Sequence, residues 1–263
     1  MRTFTELPKH EVAVYKSKPI ETTGLSERGV HSSQIEIRGF NQGKIHDTRV
    51  LVVGGGGLGG EVGHGLARKG FREIHIFDPD FVEPSNLNRQ FFFPEDFYED
   101  KAPRLVRNLI VHATAECTMA GYPWRIQEAY EMGCVPDCDV AIVLVDNESG
   151  RIFCSKFFRH IPIIFSAVSI ECDRLYVTIQ QCGKACYRCV VPEPDVPKHR
   201  CHLPSCIDVN KVAAGLVLFA VDSLIMNRAR SWNYKEVSLT GILPDRTEYI
   251  ERKPDCPLCT TTL

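Results

Sequence analysis

Arg49-Val-Leu-Val-Val53 runs directly into Gly54-Gly55-Gly56-Gly57-Leu58-Gly59, and this stretch decides the fold. A short apolar run that ends at glycines reads as a buried parallel strand. Leu58, Val62 and Leu66 then recur every four residues up to Gly70, so a helix begins in the glycines and stops there. Gly54, Gly56 and Gly59 match GxGxxG between strand and helix. Glycines there let the backbone approach phosphate, and the helix N-terminus favours negative charge. Asp78 follows about 20 residues on, at the end of a second strand over Glu73–Phe77, where a carboxylate can hold ribose hydroxyls. The pattern predicts a nucleotide site, against the plainer alternative of a glycine-rich turn without a ligand.

Outward from this core, Leu105, Val106, Leu109 and Ile110 fall at helical spacing within 101–115. Residues 140–145 read as an apolar strand ending at Asp146-Asn147, and 161–168 as one more. Alternating strands and helices predict an α/β fold, a Rossmann-like, mostly parallel sheet with helices on both faces. Ligands bind such sheets at the C-terminal strand ends, where the glycine loop, Asp78 and Asp146 fall. After Ile170 the sheet is expected to continue in antiparallel strands over 175–181, 236–242 and 247–251, with an apolar helix over 211–226. Pro192, Pro194, Pro197 and Pro204 break up 191–208, read as a long surface loop. Residues 1–30 are polar and aperiodic, an extended N-terminal arm ahead of a single domain over 31–263.

A chain of 263 residues, 44% of them hydrophobic, can bury one full core. A net charge of −2 gives no electrostatic case for nucleic acid or an anionic membrane. No basic start leads into an apolar stretch, and the longest apolar run, 212–221, is too short to span a bilayer. A cytoplasmic protein is expected. Its twelve cysteines then point to metal binding or catalysis rather than a disulfide framework.

Two cysteine pairs stand out, Cys186-Tyr-Arg-Cys189 and Cys256-Pro-Leu-Cys259. Two such turns can complete a tetrahedral Cys₄ zinc site of the closed, structural type. A thioredoxin-like redox pair is the alternative, disfavoured because neither pair is expected to open a helix after a strand. The stretch Asp78-Pro-Asp80-Phe-Val-Glu-Pro-Ser-Asn86-Leu-Asn88-Arg89-Gln90 is dense in groups that bind phosphate and sugar, and Lys101 and Asp146 follow. Arg89 and Lys101 can clamp phosphates, since nucleotidyl transfer is mainly positioning and charge neutralisation. A carboxylate such as Asp146 can hold Mg²⁺. Taken singly these are ordinary surface charges and a turn residue, so their order carries the case.

The glycine loop, the Asp-Pro-Asp…Asn-Leu-Asn-Arg-Gln stretch, Lys101, Asp146-Asn147, Arg151 and the two CxxC pairs resemble the MoeB/ThiF/HesA group, over roughly residues 31–259. That group is similar to the adenylation domain of ubiquitin-activating enzymes. The resemblance implies adenylylation of the C-terminal glycine of a small ubiquitin-like or sulfur-carrier protein ending in Gly-Gly, with ATP and Mg²⁺, by a homodimer. It places Gly54, Gly56, Gly57 and Gly59 on the ATP phosphates, Asp78 on the ribose, and Asn86, Arg89 and Lys101 on phosphates. Asp146 would organise magnesium, with Arg151 nearby, and Cys186, Cys189, Cys256 and Cys259 would bind Zn²⁺. Two positions depart from the group. Ser33, in His31-Ser32-Ser33-Gln34, stands where an arginine often reaches into the partner subunit's ATP site, with Arg28 the nearest substitute, and Gly55 replaces a common apolar residue.

Some members of the group use a loop cysteine ahead of the apolar helix, and Cys206 matches that position, with Cys201 the nearby alternative. A cysteine on such a loop beside a helix N-terminus can have a depressed pKa and act as nucleophile. Thioester transfer after adenylylation is therefore an open second step. Two further functions compete. An NAD-dependent oxidoreductase shares the loop, but no hydride-site histidine or tyrosine accompanies it. A non-catalytic nucleotide- or ubiquitin-like-protein-binding module of the same fold is kept open by Ser33.

Overall fold

The computed structural model describes residues 10–20, 29–191 and 204–260. The strands are β1 (Ala13–Lys16), β2 (Arg49–Val53), β3 (Glu73–Phe77), β4 (Thr118–Tyr122), β5 (Val140–Val143), β6 (Ile163–Val168), β7 (Arg174–Gln180), β8 (Tyr234–Ser238) and β9 (Arg246–Glu248). The helices are α1 (Ser32–Ile35), α2 (Gln42–Asp47), α3 (Gly57–Lys69), α4 (Lys101–Leu109), α5 (Ile126–Glu131), α6 (Glu148–Phe157), α7 (Tyr187–Val190), α8 (Ile207–Ile225) and α9 (Pro257–Thr260). All nine strands join one sheet, ordered β1-β4-β3-β2-β5-β6-β7-β8-β9. The run β4-β3-β2-β5-β6 is parallel, and β6 through β9 are antiparallel, as expected from the sequence.

The parallel strands are buried on both faces because helices cover both. Val50 and Val52 pack with Val62 and Leu66 of α3, Leu105 of α4 and Val217 of α8. Leu51 and Val53 turn the other way, toward Ile126 of α5 and Cys154 of α6. Successive strand side chains point to opposite faces, so a continuous apolar run is what two-sided burial requires. Gly70 ends α3 in the left-handed conformation at φ 90°, the glycine stop read from the sequence.

Strand order reverses between β2 and β5, which flank the point where chain connections leave in opposite directions. In open α/β sheets that crevice, beyond the strand C-termini, is where ligands bind. Gly54 follows β2 there, and Asp146 follows β5.

Several parts differ from the sequence reading, β8 and β9 among them, which are shorter than the 236–242 and 247–251 expected. The N-terminal segment is docked: β1 pairs antiparallel with β4, and Ser17 N–H bonds to Cys117 O at 2.9 Å. An isolated four-residue strand shows little periodicity, and the exposed edge of β4 stabilises it. β4 itself is weakly patterned because Gly121 lies against the Ala102 backbone of α4, where a side chain would collide. Finally, α8 starts at Ile207 rather than 211, so Cys206 is its N-cap. Arg28, Cys201, Pro192, Pro194 and Pro197 lie outside the described residues.

Candidate functional site

The glycine loop is built to leave backbone rather than side chain facing the crevice. Gly54 has φ 105°, and a Cβ there would sit 3.0 Å from the Leu144 carbonyl carbon and 3.1 Å from Val145 N. Only glycine takes that conformation cheaply, so β2 can hand over to α3 within van der Waals reach of the β5 end. Nothing lies within 4 Å of a Cβ built at Gly56, the N-cap of α3, which leaves that side of the loop open. Gly57 and Gly59 lie in the first turn, whose N–H groups have no intrahelical partner, the geometry that suits an anion. Gly55 is tightly enclosed: a Cβ there would lie 3.2 Å from Leu105 Cδ2 and 3.3 Å from Asp78 Cβ. An apolar residue at that position would need Leu105 to move.

Asp78, at the end of β3, is 6% exposed. Its Oδ2 accepts from Gly55 N–H at 2.7 Å and its Oδ1 from Asp80 N–H at 2.9 Å. Burial pushes its carboxyl above the usual range, while the Lys101 charge and the two N–H donors act against that shift. Lys101 opens α4, is 6% exposed, and puts Nζ 3.0 Å from Asp80 Oδ2. The structure thus gathers Gly55, Asp78, Asp80 and Lys101 into one cluster.

Asn86 and Arg89 share the next turn. Asn86 is buried, and its Oδ1 accepts from Glu83 N–H at 2.9 Å, capping a 3₁₀ turn. The Arg89 guanidinium donates to Ser85 O and Asn88 Oδ1, and the Arg89 carbonyl lies beside Gly57. Asp146 is exposed at the mouth of the crevice, and Asn147 N-caps α6 by accepting from Gly150 N–H at 2.8 Å. Arg151 turns inward: it donates to Val145 O at 2.9 Å, Ser166 O at 2.9 Å and Tyr176 OH at 3.1 Å. It therefore braces the loop that carries Asp146 rather than facing a ligand.

Cys206 is exposed at the α8 N-cap, and Ser205 is half-buried before it. Cys172, in the β6–β7 turn with φ 54°, lies within hydrogen-bonding reach of Cys206. Burial and that contact raise the Cys172 thiol above its ordinary range. The sequence reading missed Asn210, which is 1% exposed and presses on Gly57. Its neighbours Asp208 and Lys211 are polar too, so nothing in the local sequence singles it out.

The two cysteine pairs converge. All four Sγ atoms lie within 4.8 Å of one another, with Cys186–Cys189 at 3.8 Å and Cys186–Cys256 and Cys189–Cys259 at 3.5 Å. A tetrahedral zinc with Zn–S of about 2.3 Å needs S–S edges near 3.8 Å, so the cluster fits a metal. Lys253 N–H bonds to Cys189 Sγ at 3.4 Å, and Arg252 donates to Cys259 O at 3.0 Å. Contrary to the sequence reading, each pair does open a helical turn, α7 and α9. Four thiols at one point still exceed what a two-thiol redox motif uses.

A family model described as the ThiF family matches residues 31–258. The SAMP-activating enzyme E1 of Haloferax volcanii is 28% identical over 258 residues, covering 91% of this chain and 90% of that protein. Mouse adenylyltransferase and sulfurtransferase MOCS3 is 25% identical, covering 86% of this chain. The SUMO-activating enzyme subunit uba-2 of Caenorhabditis elegans is 27% identical over 167 residues, covering 62% of this chain. The chain spans 50% of the mouse enzyme and 28% of the nematode subunit. The crystal structure of Escherichia coli MccB with ATP superposes with a TM-score of 0.70 at 22% identity, covering 84% of this chain and 69% of that one. That likeness shows a shared fold.

Proposed function

The chain belongs to the ThiF family, and from that premise we propose that it adenylylates the C-terminal glycine of a small ubiquitin-like or sulfur-carrier protein, using ATP. The observation that carries the reading is the buried Lys101, set with Asp78 and Asp80 beside a free helix N-terminus at the strand-order reversal. A carboxylate attacking the α-phosphorus displaces pyrophosphate, and fixed positive charge and N–H donors stabilise the charge that develops. Lys101 and Arg89 supply the cations, Gly54, Gly56, Gly57 and Gly59 the backbone, Asn86 a further phosphate contact and Asp78 the hold on the ribose. Asp146, exposed at the crevice, is the carboxylate we assign to Mg²⁺, which would neutralise triphosphate charge. Two relatives, the SAMP-activating enzyme E1 of Haloferax volcanii and the adenylyltransferase and sulfurtransferase MOCS3, support the reaction class.

We assign Zn²⁺ to the four converged cysteines as a structural clamp joining α7 to α9. We read 31–263 as one adenylation unit and the working form as a cytoplasmic homodimer. Ser33 is exposed on α1, and Gln34 Nε2 bonds to Lys69 O at the C-terminal end of α3. At 1.5 Å per residue that end lies about 20 Å from Gly57, so this segment serves a neighbour's loop or none. No helix among the described residues is long and apolar enough to cross a membrane.

ATP–pyrophosphate exchange with a Gly-Gly carrier tests the reading, alongside calorimetry with ATP and NAD. Carrier-dependent exchange is expected, and tight NAD binding without ATP binding would sink it. Ser33 favours one second reading, a non-catalytic module of the same fold, which ATP binding without exchange would select. Cys206 divides two versions of the enzyme. A thiol-sensitive complex with carrier, lost in Cys206→Ala while exchange persists, marks thioester transfer; no complex in the wild type marks adenylylation alone.

A further inference from the structure

Asn210 is an amide buried in the first turn of α8 among Val209, Ala213 and Ala214. Burying an amide costs free energy unless it is bonded, and an alanine would avoid that cost. Its bonds are specific. Nδ2 donates to Ser205 Oγ at 2.9 Å, Ser205 Oγ lies 3.2 Å from Oδ1, and Asn210 N–H reaches Cys206 O at 3.3 Å. The same Nδ2 faces Gly57, where any Cβ would collide with it. One side chain therefore touches both the phosphate-facing turn of α3 and the residue that precedes Cys206.

We infer that Asn210 is a positioning residue: it fixes Cys206 at the rim of the nucleotide loop and makes the freedom of that thiol depend on whether the loop is occupied. The inference rests on reading Gly54–Gly59 as an ATP site. An amide nitrogen carries two hydrogens. One meets Ser205, and the other faces the α3 turn, where a phosphate oxygen would accept it. The bond from Ser205 O–H to Asn210 Oδ1, 3.2 Å long, and a bond from Nδ2–H to phosphate would run in series through the amide and strengthen one another, so occupancy should hold Ser205, and with it Cys206, more firmly.

The test is the rate of iodoacetamide alkylation at Cys206, read by peptide mass spectrometry in wild type, Ser205→Ala, Asn210→Ala and the double variant, with and without Mg-ATP. Each single change should speed alkylation about threefold to tenfold, the worth of one net hydrogen bond. The double variant should match the singles, because both remove one link. Mg-ATP should slow alkylation in the wild type and not in Asn210→Ala. Ser205→Ala deletes only a half-buried hydroxyl and carries the test if Asn210→Ala does not fold. Unchanged rates in Ser205→Ala, additive effects, or equal acceleration at the buried Cys154 would overturn the inference. Alkylation needs no carrier, so a failure of ATP–pyrophosphate exchange would reject the proposed reaction while leaving the Ser205–Asn210 link separately decided.

Discussion

Lys101 Nζ sits 3.0 Å from Asp80 Oδ2, and the two ends of this pair live in different media: the lysine side chain is 8% exposed and the aspartate 66%. A buried cation whose partner is solvated can change partner cheaply. On the proposed reading, an incoming phosphate would need only to displace Asp80.

Lys101→Ala should therefore lower ATP–pyrophosphate exchange by about 100-fold or more, as losing a preorganised charge-stabilising donor does. Asp80→Ala should cost far less, because it removes a competitor and not the cation. Steady-state exchange in both variants checks this. Equal losses would make the pair a structural ion pair.

Asp78 gives a pH signature. Its carboxyl is raised by burial, so the folded chain binds its proton more tightly than the unfolded chain does. Stability linked to this group is present at low pH and is lost as pH rises from about 3.9, the unfolded value, through the raised folded value. Asp78→Asn removes that loss. Denaturant unfolding at pH 4.5 and 7 should show the variant gaining on wild type as pH rises, and a constant difference would refute the shift.

Asp146→Ala should abolish exchange while leaving thermal stability within about 0.5 kcal/mol, since the side chain is exposed at the crevice mouth. Exchange at increasing Mg²⁺, paired with a thermal melt, measures both. Near wild-type exchange would leave Asp146 a turn residue.

Cys186→Ser and Cys256→Ser should each release the whole metal, because each pair supplies two of the four ligands at one point. Metal analysis should fall from one zinc per chain toward zero, and the melting temperature should drop by several degrees or more. Full retention in both would exclude a shared site.

The strand–glycine–helix core was legible because Arg49–Val53 and the Leu58, Val62, Leu66 spacing each obey one period and nothing competes with them. The cysteine cluster was legible as two local turns, and the fold supplies the convergence. What escaped depends on contacts distant in sequence. β1 is specified by the edge of β4 rather than by its own four residues. Arg151 looked like a site residue, yet it points inward because Val145, Ser166 and Tyr176 offer acceptors on three different segments. Asn210 shows its meaning only beside Gly57, more than a hundred and fifty positions away in the sequence.

The nine-stranded sheet ends in two very short strands, β1 of 4 residues and β9 of 3. β9 carries Arg246 and Glu248, paired with each other at 2.9 Å, and β1 ends on Lys16. A short border, charged at β9, offers a poor template for another chain's backbone. A sheet this wide would otherwise invite strand-by-strand stacking into aggregates. Borders this short disfavour strand-by-strand addition at either end of the described sheet.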